Sequence, residues 1–403
     1  MDIGLDLHKE FIQVVKIKNA SSPVIESFKI ATTFEAITAF AKSLNSKDRV
    51  VMESCTNTYI IAQILINNGV NVTISNPIKT KMIADSKIKT DKVDAEALAR
   101  LLACGYIPTV WQPTEDIEEL RKLTAFFGAV TSQRTVIKHR INSVLGRNLI
   151  DYKKNLFNSV GRKFIEKVQL PEDEKLRIGM ELELLDFLDE KIKKIKEQMA
   201  KKALVDEDIK RLMTIPGIDF ISAMYLKASI GDIKRFISPK KLVCYLGLNP
   251  RVYQSGKSCH IGKISKKGCA TARFTLVQAS HQAARVPGPL RSFFMRVKRR
   301  SGKNKALVAV ASKIARIIWI MSVKQEDYRF APPLMIQEKM ARLRIIATGV
   351  RLKGGRKKKG EITKGGKKGY QEAREHDYDN AIIGEQVYEN EVNRKSGNLV
   401  EIA

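Results

Sequence analysis

The sequence predicts an α/β domain at its front and a mainly helical, strongly basic remainder. Three observations point there. Apolar and polar residues alternate at the very start, short apolar runs then interleave with helix-length segments to about residue 110, and further on apolar residues recur at helical spacing. Ile3, Leu5 and Leu7 alternate with Gly4, Asp6 and His8, which is a period-two strand. Phe11 to Ile17 and Val24 to Ile30 supply two more strands, separated by the polar turn Asn19-Ala20-Ser21-Ser22-Pro23. A helix from Phe34 to Leu44, a strand through Val50 to Glu53, a helix from Tyr59 to Asn67 and a strand from Val70 to Ile74 follow. This order suits a mixed sheet flanked by helices, its first three strands an antiparallel meander.

A helical pattern from Ile117 to Leu149 carries Arg121, Lys122, Arg134, Lys138, Arg140 and Arg147. Leu185, Leu188, Ile192, Ile195 and Met199 then step by three and four, a short coiled-coil seam. It fits a helical hairpin within one chain or a self-association stalk, and about two to three heptads do not decide between them. Residues 206 to about 325 read as mostly helical, interrupted from Gly247 to Gly268 by a stretch rich in Gly, Ser and Lys. The end of the chain is Lys/Gly-rich from Lys353 to Lys368 and then acidic, which reads as a disordered tail. Domains are therefore expected at 1–115, 116–205, 206–330 and 331–403.

A formal net charge of +29 predicts salt-sensitive nucleic-acid binding, ahead of an anionic membrane surface. The charge is also unevenly placed. From Ile233 to Gln325 the chain runs 93 residues with 21 Lys and Arg and no Asp or Glu, so that stretch needs an outside anion. No apolar run approaches the ~20 residues that span a bilayer, and the N-terminus has no secretory pattern. Cys55, Cys104, Cys244, Cys259 and Cys269 form no C-x-x-C pair, which fits free thiols in a reducing cytoplasm.

Four acids stand out by position. Asp6 lies mid-strand, Glu53 closes a strand, and Asp91 and Asp94 lie one helical turn apart. An acid in a buried strand is costly unless paired or bound to a cation. Acids from two strands and a helix, converging at one end of a sheet, suit a pair of Mg²⁺ ions that clamp a phosphodiester. Taken singly, Asp91 and Asp94 also fit helix-start acids favoured by the dipole, and Asp6 a solvated strand residue.

Gly4-Leu5-Asp6-Leu7-His8-Lys9, Glu53-Ser54 and Lys89-Thr90-Asp91-Lys92-Val93-Asp94-Ala95 resemble the acidic motifs of the DEDD transposases of bacterial insertion sequences. The resemblance implies a ribonuclease-H-like first domain, close to the Holliday-junction resolvases, with Asp6, Glu53, Asp91 and Asp94 on its four carboxylates. Further on, Thr214-Ile215-Pro216-Gly217-Ile218 is a turn able to aim N–H groups at a phosphate, or simply an ordinary helix-ending turn. Tyr245 to Arg251, Gln254-Ser255-Gly256-Lys257, Gly262 to Gly268 and the helix from Phe274 to Ala284 are similar to the same family's second domain. There a Ser-Gly pair supplies the nucleophile, which falls on Ser255; Ser258 and Ser265 do not precede a glycine. Many relatives have a second small residue beside that pair, where this chain has Gln254 and Lys257.

Serine is a poor nucleophile unless its surroundings favour the alkoxide. Arg251, Lys257, Lys263, Lys266 and Lys267, with no acid among them, form such a field and would also grip DNA. The resemblance covers about residues 1 to 330 and implies a recombining multimer, a dimer or tetramer, with a structured guide RNA pairing with donor and target DNA. Two rivals remain: a Mg²⁺-dependent junction nuclease without a serine step, and a noncatalytic nucleic-acid-binding protein.

Overall fold

The computed structural model describes residues 1–83, 90–256 and 258–350. The chain divides into a first unit, Met1–Thr114, and a second that begins at Glu115. The tail run Lys353 to Lys368 and the acidic end lie outside the described residues.

In the first unit, β1 (Asp2–Leu7), β2 (Phe11–Ile17) and β3 (Val24–Ala31) precede α1 (Phe34–Ser43), β4 (Arg49–Glu53), α2 (Thr58–Asn67), β5 (Asn71–Ser75), α3 (Pro77–Ile83) and α4 (Asp91–Ala103). The sheet runs β3-β2-β1-β4-β5. β1, β2 and β3 pair antiparallel, while β1, β4 and β5 pair parallel, as the meander reading expects. Burial on both faces follows from the period of two. Ile3 and Leu5 join Val14, Met52, Phe40 and Leu65 beneath α1 and α2. On the other face Val15, Ile17 and Val51 meet Ala95, Leu98, Ala99 and Leu102 of α4.

Gly4 sets the spacing on that second face. A Cβ there would lie 1.9 Å from the carbonyl oxygen of Ala95 and 2.9 Å from the nitrogen of Ala99. Only glycine lets α4 lie directly on β1.

The second unit is helical around one core. It opens with α5 (Glu115–Arg147), α6 (Ser159–Lys167), α7 (Glu172–Val205), α8 (Glu207–Met213), α9 (Phe220–Ile230) and α10 (Pro239–Tyr245). Glu119, Arg134, Arg140 and Arg147 of α5 pair with Lys202, Asp189, Glu181 and Glu174 of α7, in reverse order, so the two helices are antiparallel. Leu185, Leu188, Ile192, Ile195 and Met199 are buried in this core. The expected coiled-coil segment is therefore one arm of an intrachain helical pair, because its seam is already covered.

One expectation gains detail and one is corrected. The Gly247–Gly268 interruption holds a two-stranded antiparallel ribbon, β6 (Pro250–Ser255) and β7 (Ser258–Ile264). After α11 (Ala270–Ala283), α12 (Pro289–Ser301) and α13 (Lys303–Lys324), residues Pro333–Thr348 of the expected tail form α14, which packs on α7 and buries Leu343 and Ala347. Among the described residues, α13 is long and apolar enough to cross a membrane. Its Ala306, Val310, Ala311, Ile314 and Ile318 are instead buried in the core of the second unit.

Candidate active site

The parallel register of β1 and β4 ends with Leu5 opposite Met52, so the next residues on each strand are Asp6 and Glu53. Asp6 and Glu53 therefore stand at the same end of neighbouring parallel strands, but among the described residues the groups whose ligand atoms all come within 4.8 Å of one another are Asp6, His8 and Asp91, without Glu53. Thr90 starts α4: its hydroxyl accepts from the Val93 N–H at 3.3 Å, and its carbonyl accepts from the Asp94 N–H at 2.9 Å. Asp91 and Asp94 thereby occupy the first turn, where the helix dipole favours negative charge. Because Gly4 admits α4 against β1, that turn comes over the end of β1 that carries Asp6.

His8 completes the cluster. Its Nε2 lies 3.0 Å from Asp6 Oδ2 and 3.2 Å from Asp91 Oδ1, and the three groups offer ligand atoms all within 4.8 Å of one another. Lys29 Nζ stands 3.8 Å from Asp91 Oδ2. Burial holds the Asp6 carboxyl above its ordinary value; His8 opposes this by attraction and hydrogen bonding, while the charges of Asp94 and Asp91 reinforce it. A half-buried acid beside two others is an arrangement that a divalent cation relieves, and oxygen-rich donors suit a hard one. Alternation put His8 on the Asp6 face, two residues on, but that signal alone gave it no role.

Ser255 belongs to the second unit. It is exposed at the tip of the ribbon, opposite Ser258, and Gly256 turns the chain there at φ +54°. Ser265 is held at the ribbon's base, its hydroxyl donating to Asn249 Oδ1 at 2.7 Å. Arg251, Lys263, Lys266 and Lys267 are exposed, and Arg251 also donates to the Ser265 carbonyl at 3.2 Å. Lys257 lies outside the described residues. Gly217 has φ +87°, and a Cβ there would meet the Ala279 carbonyl oxygen at 2.4 Å, so close packing on α11 demands glycine.

The carbonyls around that turn point to a residue the sequence reading missed. Lys339 of α14 donates to Met213 O, Ile215 O and Ile218 O at 2.7, 2.8 and 2.8 Å. Burial pushes its ammonium down to about 8, against the pull of Asp219. Lying in the expected tail, it gave no sequence signal. Exposed Arg296, Lys298, Arg299, Arg300, Lys303 and Lys305 at the corner of α12 and α13 form a second basic surface that was also missed.

This sheet order, with acids at the ends of two adjoining strands and on the helix above, is compatible with the ribonuclease-H-like DEDD class and supplies a possible acidic metal site. The profile of a family described as "Transposase" matches residues 3–148, and that of the "Transposase IS116/IS110/IS902 family" matches residues 209–295. The chain is 26% identical over 294 residues to the transposase for insertion sequence element IS1111A of Coxiella burnetii, covering 70% of this chain and 79% of that protein. It is 26% identical over 342 residues to a probable family 20 transposase of Pseudomonas aeruginosa, covering 81% and 98%. The pilin gene-inverting protein of Moraxella bovis is 30% identical over 244 residues, covering 58% of this chain and 68% of that protein. The chain belongs to the IS110/IS116 family of DEDD transposases, and it is a DNA transposase of the insertion-sequence kind.

Proposed function

We propose that this transposase cuts and rejoins DNA with Asp6, Glu53, Asp91 and Asp94 holding Mg²⁺ and Ser255 as the attacking nucleophile. The observation that carries the metal half is the convergence of Asp6, His8 and Asp91 within 4.8 Å, with Asp94 close enough to raise the Asp6 carboxyl further. Bound Mg²⁺ would supply positive charge to the phosphate oxygens and a Lewis acid at the reacting phosphorus.

Ser255 Oγ bonds to phosphorus, the bond to the departing strand breaks, and that strand's hydroxyl takes up a proton. Attack by a hydroxyl of another strand on the phosphoserine releases Ser255 and seals the new junction. No ATP is consumed, because the phosphodiester energy stays in the covalent link. Its exposed position at a ribbon tip supports this role, since a two-stranded ribbon fits a duplex groove. Arg251, Lys257, Lys263, Lys266 and Lys267 hold backbone phosphates around it, and Gly217 offers a backbone approach to another. The relative that bears the name pilin gene-inverting protein supports recombination that rejoins what it cuts.

A structured guide RNA that pairs with both DNAs, and assembly as a dimer or tetramer, complete the proposal. A two-plasmid recombination assay, with the element's flanking noncoding RNA supplied or withheld, tests it for wild type, Ser255→Ala and Asp94→Ala. Product requires RNA, Ser255 and Asp94. Product without RNA removes the guide, and product after Ser255→Ala removes the covalent step. The second outcome leaves the junction-nuclease reading, which the assembly of the acid cluster within the first unit favours.

A further inference from the structure

We propose that His8 is itself a ligand of the divalent cation, making a mixed nitrogen–oxygen centre that takes Mn²⁺ in preference to Mg²⁺. The inference rests on the metal reading above and adds to it a donor that the four-carboxylate pattern does not contain.

Adjacent ligands of an octahedral ion held at about 2.1 Å stand about 3.0 Å apart. His8 Nε2 hydrogen-bonds Asp6 Oδ2 at 3.0 Å and lies 3.2 Å from Asp91 Oδ1, spacings that one nitrogen beside two oxygens in a single shell would also have. The imidazole is also held in place before any ion arrives. Its backbone N–H donates to Phe11 O at 2.9 Å, and its carbonyl accepts from the Thr32 hydroxyl at 3.0 Å. The ring lies against Phe11, with centroids 4.7 Å apart. Lys29 Nζ stands 3.9 Å from the centre of the Phe11 ring, so the aromatic that backs His8 is fixed in turn.

The chemistry sets the preference. Mg²⁺ takes oxygen almost to the exclusion of nitrogen, whereas the divalent transition ions accept imidazole readily. With two or more carboxylates still in the shell, Mn²⁺ is the transition ion whose preference for oxygen is best kept.

Pulsed EPR of the full chain loaded with MnCl₂ is the test, with Mn²⁺ and Mg²⁺ affinities measured by titration and competition. Wild type shows the hyperfine coupling of a directly bound imidazole nitrogen. That coupling disappears in His8→Ala and in His8→Gln, the second of which keeps a hydrogen-bonding side chain against Asp6. Mn²⁺ affinity falls about tenfold or more in both, the scale of loss that metal-site partners carry, while Mg²⁺ affinity changes less than about threefold. Bound Mn²⁺ without nitrogen coupling in wild type overturns the His8 ligand and leaves the carboxylate site standing. Coupling that survives both substitutions overturns it too, since it comes from another histidine. Mn²⁺ binding that is absent, or indifferent to Asp6→Asn, overturns the metal reading along with it.

Discussion

Gly4→Ala should disable the acid cluster without touching an acid. The new Cβ would sit 1.9 Å from the Ala95 carbonyl oxygen, on backbone that no side-chain rotation can move aside. An ordinary carbon–oxygen contact is about 3.3 Å, so α4 must retreat from β1 by more than about 1 Å. Overpacking of this kind costs about 1–3 kcal/mol, which the first unit should lose in a denaturant titration. Asp91 and Asp94 ride on the same helix, the first one turn and the second one residue ahead of Ala95, and move with it. Misplacement of reacting groups by about 1 Å costs on the order of 10²-fold in rate. Single-turnover strand cleavage, run well below the unfolding temperature with circular dichroism as a folding check, should fall by that factor or more. Gly146→Ala is the control: it lies in α5 with no atom near the added methyl and should be neutral or stabilise by about 0.5–1 kcal/mol. Wild-type cleavage and stability in Gly4→Ala would refute the idea that α4 is seated by this glycine.

Asp6→Asn should raise the stability of the metal-free protein while removing cleavage, seen as a higher unfolding midpoint in chelator. The Asp6 carboxyl is held above its ordinary 3.8, so the folded state binds the proton more tightly than the unfolded one. Its contribution to stability therefore declines as pH rises from about 4 through the folded value, and midpoints of wild type and Asp6→Asn should diverge over that window. Lys339→Met removes the donor shared by the Met213, Ile215 and Ile218 carbonyls and should cost the second unit about 1–3 kcal/mol in chemical denaturation. Because its ammonium titrates at about 8 when folded and nearer 10.5 unfolded, that group adds stability as pH rises between those values, a gain Lys339→Met should lack. Arg251→Ala and Lys263→Ala should each weaken duplex binding at every sequence and reduce the salt slope by about 1 in filter-binding titrations.

The front of the molecule was legible because its strands obey a strict period. Ile3 and Leu5 face one layer of helices and Gly4 and Asp6 the other, so alternation and burial report the same face. Why position 4 must be glycine was not legible, since the reason is a helix about ninety residues away. The ribbon was not legible as strands because both of them are exposed. Val252, Tyr253 and Ile261 lie in solvent, so no alternation of burial marks them. The seam of α7 was visible as a period, but its partners α5 and α14 are separated from it in sequence. α14 itself was lost beside the Lys/Gly-rich run, where composition outweighed a helix that buries little beyond Leu343 and Ala347.

Everything proposed for the chemistry begins with a cation bridging side chains of one sheet edge and one helix start. A crystal of the full chain grown with Mn²⁺, mapped by anomalous scattering at the manganese edge, asks this directly. The expected result is a peak about 2.1–2.2 Å from carboxylate oxygens of Asp6 and Asp91, with Glu53 and Asp94 around it. A map without density between those carboxylates, its manganese bound elsewhere on the chain, would contradict the account.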